Sequence, residues 1–108
     1  MPTTYKVLGQ AAGTTAVANV YTVPASAQTV VSTVVIANRS TSNTNYYIAV
    51  QPNGAALANQ HYIAFSSVVA GNDSIALSLG LTLGPNDVIS VNASSNVLSF
   101  SVFGSEIT

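Results

Sequence analysis

The stretch Ser74–Leu83, SIALSLGLTL, alternates without a break: Ile75, Leu77, Leu79, Leu81 and Leu83 share one parity, and Ser74, Ala76, Ser78, Gly80 and Thr82 the other. Successive side chains of a strand point to opposite faces, so this pattern predicts a strand with one apolar face. Short segments rich in Val, Ile, Tyr and Thr recur along the whole chain, separated by Gly, Pro, Asn, Asp and Ser. They predict strands over Tyr5–Leu8, Val20–Val23, Gln28–Asn38, Asn45–Gln51, His61–Val69, Ser74–Leu83, Val88–Asn92 and Val97–Phe103. No segment has a convincing helical period. Turns are expected at Ser40–Thr44, Pro52-Asn53-Gly54, Gly71-Asn72-Asp73 and Gly84-Pro85-Asn86-Asp87. Gly9 and Pro24 end the first two strands and predict an edge or peripheral place for both. The expectation is an all-β fold: one domain over residues 1–108, an antiparallel β-sandwich of about seven or eight strands, jelly-roll-like in form.

Gln28–Asn38 is the longest β-branched run and is apolar on both parities, with Val30, Val34 and Ile36 against Val31, Val35 and Ala37. A strand buried on both faces fits this pattern, one face toward the core and the other toward a partner or a covering loop. The surface composition points the same way. Charged residues make up 5% of the chain, against roughly 25% in ordinary soluble domains, and Ser, Thr and Asn stand in their place. Only Lys6 and Arg39 are available to blunt exposed strand edges, so the edges are expected to be covered either within the fold or by neighbouring subunits. These features predict an obligate assembly component, a homo-oligomer in the first instance.

A formal net charge of −1 lacks the basic field that binds nucleic acid or an anionic membrane, so neither is an expected partner. No run approaches a membrane span, and the opening residues lack an apolar signal region, which predicts a product without an export address. The chain has no Cys and a single His, His61, and its only carboxylates are Asp73, Asp87 and Glu106. A metal site or a Ser-His-Asp set would have to be built from these, and no G-x-S-x-G elbow accompanies them. Two acids flanking a glycosidic bond would have to be Asp73 and Asp87, which read more simply as separate turn residues. No Gly-rich phosphate cradle is present, and the three Asn-X-Ser/Thr sequons match what the Asn, Ser and Thr content produces by chance. The expectation is therefore a protein that is not an enzyme, with no catalytic residue, cofactor or metal.

The residues expected at contacts are Arg39, Tyr46, Tyr47, His61, Tyr62, Phe103 and Glu106. Tyr46, Tyr47 and Tyr62 fall on adjacent predicted strands, where exposed tyrosines suit interfaces or stack on sugars. Arg39 follows a long apolar strand, and its expected partner is Asp73, Asp87 or Glu106, within the chain or between chains.

The segments Tyr5-Lys6-Val7-Leu8-Gly9-Gln10, Tyr21-Thr22-Val23-Pro24-Ala25, Asn38-Arg39-Ser40, Ser74–Leu83 and Phe103-Gly104-Ser105-Glu106-Ile107-Thr108, in that order, resemble small virion structural proteins of tailed bacteriophages, cyanophages in particular. Where such proteins often carry a Cys before Asn-Arg, this chain has Ala37. The resemblance implies a place in the virion, on the capsid surface or in the tail, after synthesis in the host cytoplasm. It implies a capsid decoration or cement protein contacting the major capsid protein, or else a tail fibre or baseplate module. It brings no catalytic residues. A carbohydrate-binding β-sandwich for host attachment is the further alternative that the tyrosines raise.

Overall fold

The computed structural model describes residues 3–12 and 15–108, so Met1, Pro2, Gly13, Thr14 and the Leu79 side chain of the predicted stripe lie outside the described residues. Eight strands follow one another: β1 Thr3–Ala12, β2 Ala18–Thr22, β3 Gln28–Asn38, β4 Thr44–Gln51, β5 Tyr62–Val69, β6 Ser74–Leu83, β7 Val88–Ala93 and β8 Leu98–Ile107. Two single 3-10 turns, Pro52–Gly54 and Asn59–His61, lie between β4 and β5. β3 and β6 have the predicted bounds, and the turn at Asn53-Gly54 takes positive φ at both residues.

The strands form two antiparallel four-stranded sheets, ordered β1-β8-β3-β6 and β2-β7-β4-β5. The pairs β1·β8, β2·β7, β3·β6 and β4·β5 nest like one long hairpin closed on itself, and the contacts β3·β8 and β4·β7 arise where that hairpin rolls up. This is the jelly-roll winding. β1 and β2 are edge strands, as expected, and β5 and β6 are the other two edges.

One core lies between the sheets, built from Val31, Val34 and Ile36 of β3, Ile48 of β4, Ile89 and Val91 of β7, and Leu98, Phe100 and Val102 of β8. Ile75, Leu77 and Leu81 of the alternating β6 segment pack against it from the sheet edge, and Leu83 is buried in it.

Two predicted boundaries are too short. β1 continues past Gly9 and β8 past Phe103, each through a glycine that the packing demands. A Cβ on Gly9 would stand 2.0 Å from the Val20 carbonyl oxygen, and one on Gly104 2.1 Å from that of Val30. These glycines permit close backbone approach inside strands and do not terminate them.

The two-faced reading of β3 also changes. Its register slips between Val31 and Thr33 against both neighbours: against β8 this leaves Ser32 as an extra residue in a β-bulge, while against β6 the extra residue lies in β6, between Ser78 and Leu81. Thr29 and Val31 are buried before the bulge, and Val34, Ile36 and Asn38 after it. A single core face therefore draws on both parities. The outward row is Val30, which is exposed, with Thr33, Val35 and Ala37 half-buried.

Candidate interface surfaces

The predicted contact residues divide by the face their strand register assigns. Tyr46 pairs with Ala93 and Ser67 on the inward row of β4 and is buried in the core at 5% exposure, so it is no platform for a partner. Tyr47, one position on, faces outward and is half-buried. His61 is also buried and lies in the 3-10 turn before β5 rather than in the strand itself. Its Nδ1 accepts the Ala58 backbone N–H at 3.0 Å, which fixes the turn that leads into Tyr62. His61 is a structural residue of that turn.

Arg39 takes none of the three expected carboxylates within the chain. Its guanidinium is exposed and donates to the Asn96 carbonyl at 3.1 Å, joining the end of β3 to the β7–β8 connection. Asp73 and Asp87 serve their turns: Asp73 accepts the Ser74 N–H, and the two oxygens of Asp87 accept the N–H groups of Asn53 and Gly84, each at 2.8 Å. The ten-residue β6 separates the two aspartates, placing them roughly 30 Å apart, whereas a glycosidic pair stands within about 10 Å.

Glu106 belongs to an inward-facing polar cluster at one end of the sandwich. It sits opposite Thr29 and Thr4 in the register. Its carboxylate pairs with the Lys6 ammonium at 2.9 Å and accepts the Tyr21 hydroxyl at 2.5 Å, while that hydroxyl also lies 2.7 Å from Thr29 Oγ1. Tyr21 comes from one sheet, and Lys6, Thr29 and Glu106 from the other, so the cluster ties the sheets together where the apolar core ends. Burial and the carboxylate beside it push the Tyr21 hydroxyl up to about 12, and the hydrogen bond from Tyr21 together with that from Lys6 holds Glu106 below the usual carboxylate range.

With Lys6 and Glu106 on the inward row, and Arg39, Asp73 and Asp87 in connections, neither outward sheet face carries a charged side chain among the described residues. On the β1-β8-β3-β6 sheet, Phe103 is half-buried in an outward row with Val7 and Thr33, next to a row of Tyr5, Ser105 and Val30. Tyr5, Val7, Val30, Phe103 and Ser105, with Lys6, Ser32 and Gly104, line an open hollow of about 630 Å³, and Tyr5 is 84% exposed.

The outward face of the other sheet holds a feature that the tyrosine pattern missed. Phe65 of β5, 65% exposed, packs edge-to-face on both Tyr47 and Tyr62, with ring centroids 5.0 Å apart in each case, and Tyr47 and Tyr62 are themselves 6.4 Å apart. β5 carries two register shifts against β4, one of them across Phe65 and Ser66, and Ser66 has φ 55. A left-handed serine costs roughly 1–2 kcal/mol, which the Asn45 Nδ2 to Ser66 Oγ bond at 2.8 Å helps to hold. Asn59, Tyr62 and Phe65 line a hollow of about 440 Å³ beside the cluster.

No protein-family model matches the chain, and no curated protein is significantly similar to it in sequence. Among solved structures, a chain of infectious bursal disease virus, Gx strain, superposes on 97% of this chain with a TM-score of 0.52 and 7% sequence identity. The present chain spans 31% of the length of that viral chain. At this identity the likeness is one of fold: the same kind of β-sandwich occurs within a viral protein. No helix among the described residues is long and apolar enough to cross a membrane.

Proposed function

We propose that this protein is a non-enzymatic structural component of a tailed-bacteriophage virion, a capsid decoration or cement protein that assembles as a homo-oligomer, with a trimer expected, on the major capsid protein. The observation that carries the reading is a jelly roll whose two outward faces lack charge. A surface of this kind gains little from electrostatic steering and is suited to burial against a neutral neighbour. The outward face of the β1-β8-β3-β6 sheet is the better candidate for the subunit contact. Ten-residue strands across four positions give a footprint of roughly 600 Å², close to the ~800 Å² per partner of a standard interface. The viral fold neighbour and the resemblance of the terminal segments to phage virion proteins support a virion location.

On this reading nucleic acid, membrane, metal and cofactor have no role, and stability of the shell comes from apolar burial and edge pairing at subunit junctions. Cryo-electron microscopy of particles carrying the protein tests it. Copies on the order of hundreds, spread over the head lattice, are expected, because each repeat of a symmetric shell offers the same site. A few copies at the tail vertex would move the protein to a tail fibre or baseplate, and absence from purified particles would overturn the virion reading.

A further inference from the structure

We propose that Phe65, Tyr62 and Tyr47, with the side-chain amide of Asn59, form a stacking platform for one ring of a neutral saccharide. The platform is independent of the subunit contact proposed above, since it lies on the opposite sheet.

Four observations converge on it. First, β5 departs from regular pairing where Phe65 lies, through an extra residue and a left-handed serine, and bulges of this kind re-aim side chains at functional positions. The other register shift, which leaves Ile63 as an extra residue between Tyr62 and Ala64, sets the face: strand alternation alone would place Phe65 and Tyr62 on opposite faces, and with it both rings meet on the outward face 5.0 Å apart. Second, the arrangement is braced from two sides: His61 fixes the turn that delivers Asn59 and Tyr62, and Asn45 fixes Ser66. A preorganised aromatic platform loses little side-chain freedom on binding. Third, the hollow beside the rings offers an exposed amide at Asn59, which can both donate to and accept from a sugar hydroxyl, next to the apolar ring faces.

Fourth, the charge pattern selects the ligand class. No Asp, Glu, Lys or Arg occurs from residue 40 to residue 72, so nothing here balances a sulfated or sialylated glycan. A cation cage is excluded by geometry as well, because rings 5.0 Å apart at near right angles fill the space between them and leave no cavity for an ammonium group. A ring with one apolar C–H face and a rim of hydroxyls matches what remains.

The test is titration of the isotope-labelled full chain, followed by amide NMR, with methyl glucoside, methyl galactoside, methyl mannoside, N-acetylglucosamine, and their β-1,4 disaccharides. Concentrations reach about 50 mM, above the millimolar Kd that contact with a single ring supports. Saturable shifts confined to Asn59–Ser66 and Tyr47 are expected for at least one probe. Phe65→Ala is expected to weaken that binding at least tenfold with the far-ultraviolet circular dichroism unchanged, Phe65→Trp to retain it, and Asn59→Ala to weaken it several-fold. Absence of local shifts for every probe at the highest concentration overturns the proposal. So does a Phe65→Ala variant whose oligomeric state changes in sedimentation, because the cluster would then be a subunit contact. Neither result bears on whether the protein resides in a virion.

Discussion

At Glu106, an ion pair from Lys6 and a hydrogen bond from Tyr21 converge on a carboxylate placed on the core-facing row, and its side chain is only 12% exposed. Both partners favour the charged form, which is why its pKa is lowered, while Tyr21 is held neutral and raised to about 12. The two shifts act on opposite sides of neutrality. Glu106 contributes stability above the ordinary carboxylate range and loses it as pH falls through its lowered pKa, whereas Tyr21 contributes below pH 10.0 and loses it as pH rises toward about 12. Thermal unfolding across pH is therefore expected to be flat through neutrality and to fall at both ends. Glu106→Gln is expected to cost about 1–3 kcal/mol near pH 7 and to flatten the acid limb, and Tyr21→Phe to remove the alkaline one. An acid limb unchanged in Glu106→Gln would show that Glu106 is not its source.

Among the elements, β3 is the one whose function in the fold depends on a single residue. Ser32 contributes little through its own contact, a 3.2 Å bond to the Phe103 carbonyl. Its value is as the extra residue that moves the inward row from Thr29 and Val31 to Val34 and Ile36. Deleting Ser32 would force one half of the strand to the wrong face, turning Val30 inward and pulling Thr29 away from Tyr21, or else turning Val34 and Ile36 outward. Denaturant unfolding is expected to show a loss of several kcal/mol for the deletion, on the scale of a multiple core truncation, and no more than about 1 kcal/mol for Ser32→Ala. Equal and small effects would mean that the register of β3 is set elsewhere.

For the whole molecule, the decisive property is where the few charges went: into turns, into a rim cluster, and onto neither outward face. If the β1-β8-β3-β6 face is the subunit contact, a cation at its centre would have to be desolvated without a partner. Val30→Lys or Phe103→Lys is therefore expected to shift sedimentation from oligomer to monomer while leaving the circular dichroism intact. Asn92→Lys, on the outward row of the opposite sheet, is the control and is expected to leave the assembly as it is. Monomeric wild-type protein at high concentration would remove the contact altogether.

Strand identity, turn positions, the core face of β6 and the sandwich class were legible in the sequence, because period-two burial and turn chemistry are local properties of a few consecutive residues. The scarcity of charge was legible too, and it pointed to covered faces. What only the tertiary structure decided are the features that depend on a neighbouring strand. The bulge at Ser32 is invisible in QTVVSTVVIAN, since register exists only between two strands, and it converts an apparently two-faced strand into a one-faced one. Gly9 reads as a strand end, and the last strand reads as stopping at Phe103, until the Val20 and Val30 carbonyls are seen pressed against Gly9 and Gly104 inside longer strands. Tyr46 and Tyr47 fall on opposite parities of one strand, and the packing of the two sheets decides that Tyr46 is the core residue and Tyr47 the outward one. Phe65 joins Tyr47 and Tyr62 only because β5 bulges twice. Lys6, Tyr21, Thr29 and Glu106 lie up to 100 residues apart along the chain, and the jelly-roll winding, which lays the last strand beside the first and third, is what brings them together.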